Sequence, residues 1–380
     1  MRIGVYLIWL RPGIVGGTES FTRNLLKGFA QAAPETEFVL FTTKNNHESF
    51  AEFERFPNMH RHLCRVDASF QPLRIAWENL FFDREVKREG VDAVLIPVYC
   101  KPRSDGKVPY VTVIHDLQAM HFPEYFSKLR RAFLRRSWKA ACRTSRRVVT
   151  ISDYCRQDVL RHFEISQDRV CRIYDPIELT GSAGESAQDP EERELFAKLG
   201  IRPGEYDYCV SSLLPHKNLA TVLRAVLLSK EQGTPFTLVV SGVSGGAEEF
   251  DALVREMDIR DCVIRTGFIP DAQRDALYRN CRVFLFPSVF EGFGMPPIEA
   301  MHFGKRVVCT KESCIYEVTR GRAVYVEDPY DEAEWLDKRA QAILLGEEKV
   351  DFPMYEPAVI AGEYMELFRN MTGRDKSRIR

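Results

Sequence analysis

Two carboxylates, Glu291 and Glu299, are separated by seven residues in the stretch Phe286-Pro-Ser-Val-Phe-Glu-Gly-Phe-Gly-Met-Pro-Pro-Ile-Glu-Ala-Met301. Between them lie two glycines and a Pro-Pro pair. An apolar run, Val283 to Phe286, leads in, and a helical pattern, Ile298 to Phe303, leads out. The pattern predicts a strand, a tight glycine loop and a helix N-terminus. Such a loop offers backbone N–H groups to an anion. Carboxylates accept from sugar hydroxyls. Together they predict a phosphate and a polyol at one site, as in a nucleotide-sugar. On this reading Glu299 lies in the first turn of its helix, stabilised by the dipole. The plain alternative is one capping carboxylate and one surface carboxylate.

Three further motifs fall at predicted strand ends. Arg11-Pro-Gly-Ile-Val-Gly-Gly-Thr-Glu19 follows the first strand and precedes a helical pattern. Gly16 and Gly17 permit close backbone approach of an anion; the alternative is an ordinary loop capped by Thr18. It is not a GxGxxG, so no dinucleotide fingerprint is supported. His115-Asp116 ends the run Tyr110–Ile114, where an imidazole can bond a sugar hydroxyl or a phosphate oxygen. A lone histidine is as readily structural. Ser211-Ser-Leu-Leu-Pro-His-Lys-Asn218 places Lys217 beside Asn218, the expected N-cap of a helix from Leu219. There Lys217 and the helix end meet an anion together; otherwise it is a solvated lysine.

The elements that position these motifs are short apolar runs alternating with helical patterns. The first half holds Ile3–Leu10, Phe38–Phe41, Ala93–Pro97, Tyr110–Ile114, Val148–Ile151 and Val170–Tyr174. The second holds Tyr208–Leu213, Phe236–Ser241, Val263–Phe268, Val283–Phe286, Arg306–Cys309 and Ala323–Val326. Continuous apolar strands between helices imply α/β architecture with parallel sheets covered on both faces. A chain of 380 residues fits two such domains. Doubly wound sheets hold ligands at the C-terminal ends of their strands, so two facing domains predict an interdomain cleft.

The boundaries read as a first domain over 1–180, a linker region over 181–204, a second domain over 205–354 and a C-terminal helix over 355–372. The linker is read from the small, polar run Gly181 to Pro190. The helix is read from apolar spacing between Tyr355 and Arg369. The basic tail Thr372–Arg380 reads as frayed. Net charge is −1, which predicts no nucleic-acid partner. No apolar run reaches the roughly 18 residues of a membrane span. Ten cysteines without a CxxC pair favour reduced thiols and a cytoplasmic setting.

In this order, the motifs resemble glycosyltransferase family 4, which has the GT-B fold of two Rossmann-like domains. The likeness covers nearly the whole chain. It is carried by Thr266-Gly-Phe-Ile-Pro270, Leu277-Tyr-Arg-Asn-Cys281 and the Glu291–Glu299 region, supported by Gly16-Gly17-Thr-Glu19, Val113-Ile-His-Asp116 and Thr150-Ile-Ser-Asp-Tyr154. The resemblance implies retaining, metal-independent transfer from a nucleotide-sugar, without a cofactor. No Asp-x-Asp is present, and His60 and His62, two apart on an expected strand, lack a third ligand nearby in the sequence. By the resemblance, Glu299 binds the ribose and Glu291 the donor sugar. Backbone N–H groups of Phe293, Gly294 and Met295 meet sugar or phosphate oxygens. Lys217 and the Gly16-Gly17 loop hold the diphosphate. His115 contacts the donor sugar or acceptor, and Gly267, Phe268 and Ile269 border the base. The C-terminal helix crosses back onto the first domain.

Two departures stand out. Ser212 occupies a position where the family often has an arginine, five residues before the phosphate lysine, and His216 or Arg11 is the candidate substitute. Asp175-Pro176 replaces the more usual Asn-Gly. The Gly-Met-Pro-Pro loop and Pro215-His-Lys-Asn218 lean toward mannosyltransferase-like members using GDP-mannose, with UDP-sugars as the other donor class. The implied acceptor is a glycan or lipid-linked glycan of cell-surface polysaccharide synthesis.

From Lys128 to Arg147 there are nine Lys or Arg and no acid. This is either a peripheral helix on an anionic inner membrane face or a helix with a solvated basic side. Two other functional readings remain at this stage, a GT-B sugar-nucleotide epimerase and a non-catalytic sugar-nucleotide-binding partner subunit.

Overall fold

The computed structural model describes residues 1–13, 16–100, 102–179, 190–243 and 246–373. The chain divides into two compact units, Met1–Glu178 with Pro353–Arg380, and Leu179–Phe352.

The first unit carries a seven-stranded sheet. Its strands are β1 (Arg2–Tyr6), β2 (Glu37–Thr43), β3 (Met59–Cys64), β4 (Ala93–Ile96), β5 (Tyr110–Ile114), β6 (Arg147–Thr150) and β7 (Val170–Arg172). Their order is β3-β2-β1-β4-β5-β6-β7, and every pairing is parallel. The second unit has six parallel strands: β8 (Tyr206–Val210), β9 (Thr237–Ser241), β10 (Val263–Gly267), β11 (Phe284–Phe286), β12 (Val307–Cys309) and β13 (Val324–Tyr325). Their order is β10-β9-β8-β11-β12-β13. Both are doubly wound Rossmann-like sheets, which reverse direction at β1/β4 and at β8/β11. Helices cover both faces, so residues on both sides of a strand are buried; Phe38 through Phe41 in β2 illustrate this.

Several expectations need correction. The first strand stops at Tyr6, and Leu7–Leu10 turns, with the Leu10 N–H bonded to the Leu7 carbonyl at 3.1 Å. Leu7 still donates its N–H to the Phe41 carbonyl of β2 at 3.0 Å, and Ile8, Trp9 and Leu10 are buried beyond the end of the strand. Strand β3, expected at His60 and His62, bears no apolar run because its sequence, MHRHLC, is half polar. Within the expected linker, residues 181–189 lie outside the described residues. Pro190–Leu199 is a helix that buries Leu195 and Phe196 and pairs Glu192 with Arg279. Its polar composition reflects one solvated side rather than lack of structure. Of the expected frayed tail, residues 374–380 lie outside the described residues.

The C-terminal helix, Pro357–Thr372, belongs to the first unit and packs on the helix Gly17–Ala32. Phe29 meets Tyr364 and Phe368 with ring centroids 6.1 and 6.5 Å away. Gly28 makes the approach possible, since a Cβ there would fall 2.1 Å from the Pro357 carbonyl oxygen. The Asp175-Pro176 turn is held beside this contact, with Asn24 Nδ2 donating to the Pro176 carbonyl and the Ile177 N–H to that of Tyr355. Gly28→Val should therefore force the two helices apart. The expected loss is about 1–3 kcal/mol or more of stability, the usual range for overpacking, measured by urea unfolding.

Candidate nucleotide-sugar site

In the second unit the sheet reverses between β8 and β11. The loops after those two strands must therefore diverge to opposite faces, leaving a crevice at the strand ends. Lys217 lies on the first loop and Glu291 on the second. Lys217 Nζ donates to Glu291 Oε1 at 2.7 Å, a charge-assisted bond. The loops are also tied by backbone: the Val289 N–H donates to the His216 carbonyl at 2.8 Å.

Two residues in left-handed backbone conformation flank the pair. Asn218 has φ 50° and Ser313 φ 53°, a conformation that costs a non-glycine residue roughly 1–2 kcal/mol. Each is fixed by side-chain bonds. Asn218 Nδ2 donates to the Pro329 carbonyl, and its Oδ1 accepts the Thr221 hydroxyl, both at 2.7 Å. Ser313 Oγ accepts the Glu291 N–H at 3.0 Å. Asn218 stands at the N-cap position of helix Leu219–Glu231 but makes no side-chain cap bond, because its amide is used elsewhere.

Beyond Glu291 the chain passes through Gly294, at φ 85°, into helix Met295–His302. No side chain caps this end, and Pro296 and Pro297 lack N–H groups. The helix begins at Met295, so Glu299 lies in its second turn, not the first as expected. Burial and a partner place it there rather than the dipole. Tyr278, fully buried, donates its hydroxyl to Glu299 Oε2 at 2.9 Å, and Arg274 Nε lies 3.9 Å from the same oxygen. Burial, and then the Glu299 charge, hold the Tyr278 phenol well above its usual pKa, so it remains a donor. Phe293 is a core side chain, leaving only its backbone for a ligand. After β10, Gly267 has φ 73°, Phe268 is 86% exposed and Ile269 is half-buried. Arg274, Tyr278 and Ser313 had no assigned role in the sequence. Tyr278 sat inside a recognised motif, but nothing local joins it to a carboxylate 21 residues on.

His216 is 3% exposed, and its pKa is pushed down to about 4 by desolvation, with the Lys217 charge adding. It is neutral at neutral pH, so it does not supply the positive charge missing at Ser212. Arg11, the other candidate substitute, is exposed and lies in the first unit.

In the first unit, His115 follows β5. Its Nε2 lies 2.9 Å from the Pro97 carbonyl, which only accepts, so Nε2 carries the proton. Its ring meets Phe21 edge-on at 4.7 Å. That contact ties it to the helix that starts after Gly16, whose φ is 57°. Gly16 is the N-cap, with no side-chain cap bond, in place of Thr18. Glu19 Oε2 accepts the Gly13 N–H at 2.8 Å, and Glu19 pairs with Arg23. Ile14 and Val15 of this motif lie outside the described residues. Ser152 caps helix Asp153–His162, and Cys155 in that helix donates to the His115 carbonyl at 3.0 Å. Sequence reading also missed a buried ion pair: Arg74 and Glu78 lie 3.1 Å apart, with Arg74 donating to the Trp9 carbonyl past the end of β1.

Among the described residues no group of three or more His, Cys, Asp or Glu is arranged to hold a metal. His60 and His62 instead lie beside Glu37, Glu85 and Glu89. No helix of the described residues is long and apolar enough to cross a membrane. None of the ten cysteines is in a disulfide.

Desolvation lowers the His115 pKa to about 4, only partly offset by its bond to Pro97. The unfolded chain, with histidine near 6.5, binds the extra proton first as pH falls. This contribution to stability is therefore whole above about pH 6.5 and is lost as pH drops toward 4. His115→Asn should flatten the fall of the unfolding midpoint across that window in scanning calorimetry, with His216 accounting for slope that remains.

Residues 191–355 match the family model "Glycosyl transferases group 1", and residues 15–180 match "Glycosyltransferase Family 4". The O-antigen chain mannosyltransferase B of Escherichia coli is 31% identical over 58% of this chain and 58% of its own length. A Campylobacter jejuni relative, named as an N-acetylgalactosaminyltransferase acting on a diphospho-undecaprenol glycan, is 29% identical over 40% of this chain and 38% of its own. The matches thus span less than two thirds of either relative. In fold, the chain resembles sucrose-phosphate synthase from Thermosynechococcus elongatus, with a TM-score of 0.72 at 17% identity, covering 99% of this chain and all of that one.

Proposed function

Since the chain belongs to glycosyltransferase family 4, with its GT-B fold, we propose that it is a retaining hexosyltransferase. In this reading it moves mannose from GDP-mannose to a glycan or lipid-linked acceptor in cell-surface polysaccharide synthesis. The observation that carries the proposal is the Lys217–Glu291 pair at the switch point of the second sheet. It puts a cation for the leaving diphosphate next to a carboxylate for the transferred sugar.

The residues divide the work by chemistry. Lys217 neutralises charge as the bond from the anomeric carbon to the diphosphate breaks, where electrostatic stabilisation counts most. Glu291, already hydrogen-bonded to Lys217, orders the sugar hydroxyls. Glu299 receives the ribose hydroxyls through the oxygen not used by Tyr278. Phe268, exposed after β10, lies against the base. The acceptor hydroxyl attacks from the face the diphosphate leaves, and its proton passes to the departing phosphate oxygen. No protein nucleophile and no metal take part. His115, neutral and protonated on Nε2, presents Nδ1 as an acceptor for a sugar hydroxyl. Mannose rests on the Gly-Met-Pro-Pro loop and on the name of the Escherichia coli relative. A diphosphate-lipid acceptor is the kind named for the Campylobacter jejuni relative. The cations from Lys128 to Arg147 would hold the protein on the anionic cytoplasmic face of the membrane.

Release of GDP from GDP-mannose in the presence of membrane glycolipid tests the reading directly. Lys217→Ala should lower kcat by about 10²–10³-fold, as for loss of one fixed transition-state donor. Glu299→Ala should raise the donor KM by roughly 10–100-fold, one charged hydrogen bond. Donor binding without release, across GDP- and UDP-sugars and extracted lipid acceptors, would refute transfer.

A further inference from the structure

Strands β11 and β12 pair in parallel, with Phe286 beside Cys309, so the loops that follow them leave the sheet side by side. The second of these loops, residues 310–314, reaches the first through three side chains. Thr310 donates its hydroxyl to the Ser288 carbonyl at 2.7 Å. Ser313 Oγ accepts the Glu291 N–H at 3.0 Å. Cys314, fully buried, has its Sγ 3.2 Å from two carbonyl oxygens, those of Glu291 and Phe293. A thiol has one proton, so the two oxygens share it.

These contacts set which way the peptides of the Glu291 loop face. In a trans peptide the carbonyl and the following N–H point in opposite directions. With the Phe293 carbonyl held toward buried Cys314, the Gly294 N–H is turned away from the core. The Phe290 carbonyl is likewise taken up from within, by Ser288 Oγ at 3.2 Å. Gly294, at φ 85°, then leads into helix Met295–His302, where Pro296 and Pro297 carry no N–H. The direction of the Gly294 and Met295 donors therefore matters most at this helix end. Among the described residues the Gly294 N–H donates to no other protein group.

The backbone of Ser313 points the same way. Its φ of 53° is strained for serine and free for glycine. A glycine would make the turn but would not hold the Glu291 N–H. Strain kept together with a bond to a site residue is the mark of a positioning role.

We propose that Ser313 and Cys314 are positioning residues for the donor, aiming the Gly294 and Met295 N–H groups at the departing diphosphate. The proposal rests on the transfer reading above and adds to it two residues that act through the loop. The competing account is purely structural: Cys314 fills the core and Ser313 closes a turn.

Calorimetric titration of the whole chain with GDP and with UDP separates the two accounts. A nucleoside diphosphate carries the charge of the departed leaving group and needs no turnover. Cys314→Ala should weaken whichever of the two the wild type binds by about tenfold or more, the effect of losing a charged hydrogen bond. Cys314→Ser should bind within about threefold of wild type, since a hydroxyl donates where the thiol did. Ser313→Gly should raise the urea midpoint by relieving strain, yet weaken the same ligand by about threefold or more. Cys314→Ser binding no better than Cys314→Ala, or Ser313→Gly binding like wild type, would overturn the positioning role and leave the donor reading standing. If Cys314→Ala does not fold, Ser313→Gly carries the test. Failure of the wild type to bind either nucleotide would overturn the donor reading, and this inference with it.

Discussion

The candidate site of the second unit depends on where one parallel sheet changes direction. Strands β8 and β11 are neighbours in space, although β8 ends at Val210 and β11 begins only at Phe284. The helices following them go to opposite faces, and the strand ends between them stay open to a ligand. The Lys217–Glu291 hydrogen bond closes across that point. Its geometry is not left to two flexible side chains. The His216 carbonyl accepts from the opposing loop, Ser313 holds the Glu291 backbone, and Asn218 is anchored to Pro329. Two non-glycine residues in left-handed conformation are the conformational cost of that arrangement.

Burial keeps one histidine neutral in each unit. His115 and His216 are each held neutral by desolvation. They can orient hydroxyls and carbonyls, but neither adds to the charge carried by Lys217. The missing arginine at Ser212 therefore has no histidine substitute. Glu299 shows the opposite treatment: it stays next to Arg274 and receives the Tyr278 hydroxyl, so one carboxylate oxygen is fixed in direction.

The first unit uses its helices differently. Gly17–Ala32 is pinned by the C-terminal helix through the contact at Gly28, which sets the position of Phe21 against His115. Lys128–Thr144 packs Trp138 and Leu134 inward and leaves its cations outward. The same helix thereby completes the core and presents its cations to solvent.

Much was legible in the sequence because the signals are local. Apolar runs between helical patterns marked parallel strands, and glycines with carboxylates at fixed spacing marked the loop from Glu291 to Glu299. The family likeness then assigned roles to residues already singled out. Strand β3 has no apolar run, because His60, Arg61 and His62 make it polar, and only the two histidines two apart marked it. Helix Pro190–Leu199 was hidden because its sequence is mostly charged and only Leu195 and Phe196 report its buried side. What the tertiary structure decided was partnership. Lys217 with Glu291, Tyr278 with Glu299, Arg74 with Trp9 and Gly28 with Pro357 join positions that sequence spacing alone does not connect. Ionisation followed from the same source, since a histidine's charge depends on the atoms packed around it. Residue type and spacing determined which chemistry was available; packing determined which groups meet, and in which protonation state.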